Sequence, residues 1–423
     1  MSGYSPGPRS ELFRARRGSA RATTGPARGE TGIGDATDGD QPLSRAAGRS
    51  RARPGVAACL SLALLAPPSA TASGVWPGPT GLVARSTPDH AAAQTDTPSP
   101  LQQHLDAPHG PLRPVAFSIW WENDGAYVKP IAETDRHYTN GLKIDLGFRG
   151  GFLPDLMSAL PGIGQFDNPR FAGGLSLTQL MYTGRDIRDP DPPRSDRPYA
   201  GHLGLTFYGQ RSDRHKLDHV AIELGVLGPL SGAQAIQEFI HSAVPQQLKP
   251  RGWPKQLNDE PTINATWVRR WRTPRVSLGD LSGEIIPELG ARLGTVRTGV
   301  ETGATLRVGY NLPDDFGPPT RISGFRDVAG GWGDGSGNDW GLYAFGRVGA
   351  TFKVHDVFLD GNVWSNSRSV DKRNVTGEIQ IGLAGRLGKL DLGYAVTFTS
   401  REFNGQVGSD DYGTLFAAFQ IEF

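Results

Sequence analysis

The sequence predicts an all-β fold: an up-and-down antiparallel transmembrane β-barrel of twelve strands, with a short helix in one extracellular loop. Three observations predict it. From residue 115 onward, alternating segments recur at about ten residues each, the length a tilted strand needs to span a bilayer. A secretory signal precedes them. The final segment alternates strictly, with Leu415, Ala417, Phe419, Ile421 and Phe423 on one face.

Composition fits this reading and excludes others. The chain has 423 residues, enough for one large domain or two ordinary ones. Mean hydropathy is -0.38 and no apolar run reaches the ~18 residues of a spanning helix, so a helical membrane protein is not suggested. A barrel hides from hydropathy, because only every second residue of a strand faces lipid. The formal charge of +1 is unevenly spread, with ten arginines against five acidic residues in the first 54 positions. The remainder is therefore net acidic, and no nucleic-acid partner is expected. Cys59 is the single cysteine, which excludes an intrachain disulfide and a Cys-rich metal site.

Residues 1–54 are Arg-, Gly- and Ser-rich and read as a disordered basic extension. Residues 55–72 read as a signal peptide: a basic flank, the apolar run Val56–Ala66, and small residues before a cleavage point after Ala72. The signal lies far from Met1, which suggests a later start of translation. "VAAC" mimics a lipoprotein box, but the apolar run follows Cys59 instead of preceding it. Residues 73–113 are Pro-, Ser- and Ala-rich and read as a linker, and 114–423 as the barrel.

The twelve strands are read, in order, from "VAFSIWWEN", "LKIDLGFRG", "LSLTQLMYT", "GHLGLTFYGQ", "HVAIELGVLG", "INATWVRRW", "EIIPELGARL", "GATLRVGYNL", "GLYAFGRVGATFKV", "EIQIGLAGRL", "LDLGYAVTFTS" and "GTLFAAFQIEF". "VFLDGNVW" is assigned to a long ninth strand or its loop, because both termini on the periplasmic side demand an even count. The terminal aromatic strand resembles the signal that outer-membrane barrels present to their assembly machinery.

Strand order then places the polar motifs. "END" (122–124), "HYTNG" (137–141), "MYT" (181–183) and "SDRPYAG" (195–201) all fall on the extracellular rim. The loop 230–261 falls there too. In it, Ala235, Ile236, Phe239 and Ile240 suit one face of a short helix, with Gln237 and His241 one turn apart. The long Gly-rich loop 313–339 reads as exposed and, by strand order, falls on the periplasmic side. A lone loop histidine is most often merely solvated. His241 gains weight because Asn123, Asp124 and Thr139 share its rim. Asn and Thr are neutral donors suited to an oxyanion. Asp124 is a hard oxygen ligand suited to calcium. A histidine deprotonates water near neutral pH. Together these residues suggest metal-assisted ester hydrolysis, although Asn and Asp also end strands for turn reasons alone. The tryptophans Trp120, Trp121, Trp253, Trp267 and Trp271 are expected to form the interfacial girdle, or, for Trp253, to line an acyl-chain groove.

The motifs "ENDGAY", "TDRHYTNGL", "MYT", "SDRPYAG", "LGVLGPLSGAQAIQEFIH", "GWPKQLNDEP" and "DDYGTLFAAFQIEF" span the whole folded body. In this order the chain resembles the outer-membrane lipid A 3'-O-deacylases, calcium-dependent twelve-stranded barrels. The resemblance implies a catalytic histidine at His241, an Asn–Asp pair at Asn123 and Asp124, a rim threonine at Thr139 and a supporting glutamine at Gln237. It implies calcium as cofactor, lipopolysaccharide as substrate, the outer membrane as location, and a monomer. Two family residues lack a match: a carboxylate soon after the histidine, for which Asp259 or Glu260 are the substitutes, and a lysine, for which Arg185, Arg188 or Arg194 stand in. Two other readings remain. "HYTNG" resembles the "HxSNG" of outer-membrane phospholipase A with Thr139 in the serine position, and alternation would put His137 and Thr139 on one face. A non-enzymatic barrel, pore or structural, is the third.

Overall fold

The computed structural model describes residues 110–125, 136–160, 165–243, 248–318, 322 and 340–421. The expected basic extension, the signal peptide, nearly all of the linker, and the terminal Phe423 lie outside the described residues.

The strands are β1 (Arg113–Asn123), β2 (His137–Arg149), β3 (Arg170–Thr183), β4 (Ala200–Ser212), β5 (Lys216–Leu227), β6 (Glu260–Trp271), β7 (Val276–Leu278), β8 (Leu281–Gly294), β9 (Arg297–Tyr310), β10 (Trp340–Asp356), β11 (Val375–Leu387), β12 (Leu390–Thr399) and β13 (Asp410–Gln420). Apart from β6 and β7, each pairs antiparallel with the next along the chain, β1 pairs with β13, and β6 pairs with β8. Those last two pairings close the cylinder. Helix α1 (Leu153–Ala159) lies between β2 and β3. β7 is a three-residue strand on the lower part of β8. Twelve staves therefore form the barrel, as the alternation predicted. The chain after β10 makes one helical turn, α3 (Val357–Asp360), so "VFLDGNVW" is loop and not a stave.

Alternation in the staves is inverted relative to a soluble protein. On β1, Phe117, Ile119 and Trp121 face outward and are exposed, while Ser118, Trp120 and Glu122 face the lumen and are buried. Leu177, Leu205, Phe207, Ile222 and Leu224 continue the outward apolar band across β3, β4 and β5. A cylinder that is apolar outside and polar inside matches a hydrocarbon solvent.

The lumen is filled with ion pairs. Arg347 on β10 reaches Glu288 at 2.6 Å and Glu301 at 2.9 Å, and also contacts Glu378. Arg270 bonds Glu288 at 3.1 Å, and the Nε of Arg307 bonds Glu284 at 2.7 Å. Such charges are tolerated away from water only when each is paired and hydrogen-bonded. Above this lattice an aromatic layer fills the mouth: Trp120, Tyr138, Tyr182, Phe358, Tyr412 and Phe416. Phe358 of α3 stacks on Tyr182 at 4.2 Å between centroids. Side chains thus occupy the interior that a pore would need open.

The loop after β9 departs from its expectation as an exposed loop. Asp314 and Asp315 each accept a bond of 2.5 Å, from Arg272 and Arg307, and Arg270 donates to the Phe316 carbonyl at 3.0 Å. Farther on, the Ile322 amide donates to Glu122 Oε1 at 2.7 Å, and both residues are buried. Glu122 belongs to the opposite end of β1. Ile322 therefore lies inside the barrel, at the level of the upper end of β1.

Two tryptophans also depart from the girdle expectation. Trp120 lies inside the mouth, and Trp253 is 0% exposed beneath α2 (Ala233–Ala243). Trp121 and Trp271, by contrast, face outward.

Candidate functional site

β1 and β2 meet at the upper rim, the end at which β1, β3 and β5 finish. There the register slips between Tyr138 and Asn140, so Thr139 is the extra residue of a bulge. The bulge carbonyl is held from below: Asn123 Nδ2 donates to Thr139 O at 3.0 Å, and the Asp124 amide does so at 3.4 Å. Asp124 Oδ2 in turn accepts the Arg136 amide at 2.8 Å, which closes the loop between the strands. Asn123 Oδ1 accepts the Gly125 amide at 2.7 Å. So Asn123, Asp124 and Thr139, expected to share a rim, form one hydrogen-bonded cluster.

The Asn123 and Thr139 side chains belong to the outer wall of the barrel, not to its lumen. Thr139 Oγ1 lies 2.8 Å from Thr183 Oγ1, and Thr183 shares the outward row of β3 with Leu177, Gln179 and Met181. Trp121, exposed on the outer face, donates to Asn140 Oδ1 at 2.9 Å. Asn123, Thr139, Asn140, Thr183 and Gln179 therefore make a polar strip on a wall that is otherwise apolar. Asn140, Thr183 and Gln179 were missed in the sequence. The signal was there: polar residues on the lipid-side parity of β3 at 179 and 183.

The other half of the site comes from the loop between β5 and β6. Gln179 Nε2 donates to the Ser231 carbonyl at 2.8 Å and so fixes the start of α2 against β3. Met181, Tyr199, Ala233 and Trp253 then pack as one buried cluster beneath the helix. Gln237 is buried and accepts the Trp253 indole N–H at 2.7 Å. One turn later, His241 Nδ1 is 2.5 Å from the Leu248 carbonyl. A carbonyl only accepts, so Nδ1 carries a proton, and in the neutral ring the lone pair is then on Nε2. That is the tautomer a general base requires. Trp253 is thus a prop for α2 and lines no groove.

The two substitute carboxylates are used elsewhere. Asp259 Oδ1 accepts the Leu230 amide at 2.7 Å, and Glu260 accepts the amides of Val363 and Trp364. Of the three arginines, Arg188 is paired with Asp186 at 2.9 Å. Arg185 and Arg194 are exposed, and the Arg185 amide is fixed on Asp196 at 2.7 Å.

His137 has a different setting. Its φ of 58° turns the side chain inward, and its ring is 1% exposed. Nδ1 is 2.8 Å from Asp410 and Nε2 is 3.6 Å from Asp196. Phe403 meets the ring edge-on at 5.4 Å. Thr139, two residues on, bonds Thr183 on the outside, so the bulge and the positive φ separate the pair that alternation would have put on one face. A network extends from Asp196 through Arg197 to Glu402, which also takes Lys353. Burial alone would raise the Asp196 carboxyl, but hydrogen bonds from His137 and from the amides of Arg185 and Arg197 hold it below its ordinary value. Burial would likewise raise Glu402, and the Lys353 and Arg197 charges hold it well below.

Calcium takes hard oxygen ligands, and the donors beside Asp124 are all oxygens: its carboxylate, the Asn123 amide oxygen and the Thr139 carbonyl. Among the described residues no group of three or more His, Cys, Asp or Glu converges on a metal position. The donors fit calcium in kind, with one carboxylate supplying the charge.

A model of the family described as "Outer membrane protein LpxR" matches residues 82–421. The chain belongs to that family. Among solved structures, LpxR from Salmonella typhimurium is similar at 17% identity, with a TM-score of 0.59, over 72% of this chain and 100% of that one. The β domain of the Bordetella autotransporter BrkA is 14% identical over 74% of this chain and 99% of that one, with a TM-score of 0.35. No curated protein matches. The likeness to LpxR is one of fold: a closed twelve-stranded antiparallel barrel of the outer membrane.

Proposed function

We propose that this protein hydrolyses an ester of lipid A, releasing the 3'-linked acyloxyacyl group, with His241 as general base and calcium held at Asp124. Membership of the LpxR family supports the lipid A deacylase class. The observation that carries the reading is the tautomer of His241, fixed by Leu248 on a helix that packs against a polar strip of the outer wall. A substrate that lives in the bilayer meets a barrel on its outer wall, so a site there suits a lipid. The upper rim would face the cell exterior, where lipopolysaccharide resides.

In this mechanism His241 Nε2 takes a proton from water, and the resulting hydroxide attacks the ester carbonyl. The second amide hydrogen of Asn123 donates to the developing oxyanion, joined by the Thr139 hydroxyl once it turns from Thr183. The Asp124 carboxylate and neighbouring neutral oxygens would hold calcium, which when bound would supply positive charge to polarise the ester. The imidazolium then returns its proton to the sugar alkoxide as the C–O bond breaks. Gln237 keeps α2 in register through Trp253, which positions His241. The exposed Arg185, two residues beyond Thr183, suits an anionic headgroup in the role of the absent family lysine. The barrel is read as a monomer delivered by the barrel assembly machinery.

The phospholipase reading loses support from geometry, since both ring nitrogens of His137 face carboxylates and Thr139 points away from it. The test is mass spectrometry of lipid A and phospholipids from cells expressing wild type, His241→Ala or His137→Ala, with and without calcium. Calcium-dependent loss of the 3' acyloxyacyl group that vanishes in His241→Ala supports the proposal. An unchanged lipid profile for folded wild type defeats it.

A further inference from the structure

The helix α2 is amphipathic the wrong way round for a helix that only packs on a protein. Its buried stripe, Ala233 and Gln237 with half-buried His241, lies against the barrel wall. Its apolar residues do not. Phe239 is 73% exposed, and Ile236 and Ile240 are also exposed, as is Leu230 at 72% just before the helix. At 3.6 residues per turn these side chains fall into three sectors. Ala233, Gln237 and His241 form the barrel sector. Ile236, Phe239 and Ile240 form a second sector on one flank of it. Gln234, Glu238 and Ser242 form a third on the other flank, where Gln234 Nε2 donates to Glu238 Oε1 at 2.8 Å in the open.

We propose that α2 is an interfacial helix lying along the barrel wall at the bilayer surface. The Ile236–Phe239–Ile240 face and Leu230 sit among the acyl chains of the leaflet, and the Gln234–Glu238–Ser242 face meets water. One flank in lipid, one in water and one on the wall is the arrangement that three sectors require. An amphipathic helix with large apolar residues on one face buries that face in the headgroup and acyl boundary. The occupant follows from continuity. The staves that carry the helix, β3 to β5, present Leu177, Leu205, Ile222 and Leu224 outward, and this band is the lipid-facing surface of an outer-membrane barrel. Exposed apolar surface of this extent marks an interaction site, and here the neighbouring interface is already acyl chain. For the hydrolysis proposed above, on which this clause alone rests, the consequence is that Gln237 and His241 sit at the depth of the bilayer boundary, so a lipid ester reaches them without leaving the membrane.

The test reads depth. Phe239→Cys, Glu238→Cys and, as the reference in lipid, Leu224→Cys are made in the full chain with Cys59→Ser. Each is labelled with an environment-sensitive fluorophore and reconstituted into phosphatidylcholine vesicles. Lipids brominated in the upper acyl chain should quench the Phe239 probe as they quench the Leu224 probe, and several-fold more than the Glu238 probe. Aqueous iodide should give the reverse order. Quenching of the Phe239 probe by iodide as strongly as the Glu238 probe overturns the proposal. Shielding of it from both quenchers also overturns it and assigns the face to a protein contact, such as a second copy. Ile236→Cys repeats the measurement if Phe239→Cys fails to fold. No step depends on turnover, so an inactive protein with a lipid-embedded Phe239 leaves the inference standing while the hydrolase reading falls.

Discussion

His241 and His137 lie at the same rim and differ in everything that decides their chemistry. His241 sits on the outer wall, half-buried, with one carbonyl on Nδ1. His137 sits inside, buried, with a carboxylate facing each ring nitrogen. A carbonyl on Nδ1 sets which nitrogen is basic when the ring is neutral, and that is Nε2. Two carboxylates favour an imidazolium that is content to stay charged. The sequence offers His137 first, inside a motif, yet its surroundings make it a clamp between β2, β13 and the loop carrying Asp196.

The largest expected break between the two is kinetic. His241→Ala should lower deacylation by about 10²–10⁴-fold, the usual worth of a positioned general base, with the barrel still folded by heat-modifiable migration in electrophoresis. If turnover stays within tenfold or so, His241 is not the base. His137→Ala should do the opposite. Removing one partner of a buried ion pair costs about 3–5 kcal/mol, read as a lower urea midpoint, while the folded fraction keeps its turnover. Lost turnover at unchanged stability would exchange the roles.

Smaller effects sharpen the contrast. Asp124→Asn removes the one carboxylate beside Thr139. The calcium needed for half-maximal turnover should rise by about an order of magnitude, since calcium affinity follows ligand charge; an unchanged calcium titration would move the ion elsewhere. Acid should destabilise the inner region. The Asp196 and Glu402 carboxyls are held below their ordinary values. Depressed carboxyls stabilise the fold above their unfolded pKa, and the contribution is lost as pH falls through the folded value. Stability against urea should therefore decline below about pH 4. It should fall again at the alkaline side as His137, which burial would lower but Asp196 and Asp410 hold above its ordinary value, loses its proton. Glu402→Gln should weaken the acid decline. Smallest of all, Trp253→Phe removes the bond to Gln237, about 0.5–1.5 kcal/mol, and should loosen α2 with a few-fold loss of turnover.

Much of this was legible because barrel staves carry a period of two. Each of the twelve segments read from alternation became a stave, and "VFLDGNVW" did not. The short helix with Gln237 and His241 on one side was legible from its spacing. What alternation could not show was which side of the wall a motif occupies once the period breaks. The bulge at Thr139 and the positive φ of His137 both fall inside "HYTNG", and each turns a side chain against the parity of its neighbours. Tertiary pairing hid the rest. Trp253 reads as a girdle residue until Gln237 accepts its N–H, and residues 314–316 and 322 read as exposed loop until the luminal arginines and Glu122 draw them inside.

The pairing of β6 with β8 has a mechanical meaning. Its ladder runs only from Asn264 opposite Gly294 to Arg270 opposite Glu288, whereas β5 and β6 pair along the whole of β6. Below that point β8 is stitched to Thr273 and to the three residues of β7. With seven facing pairs here and eight between β1 and β13, against ten or more between the other staves, the cylinder has two short seams. Hydrogen exchange should be fastest along these two lines, and a barrel under load should open at one of them before any other stave lets go.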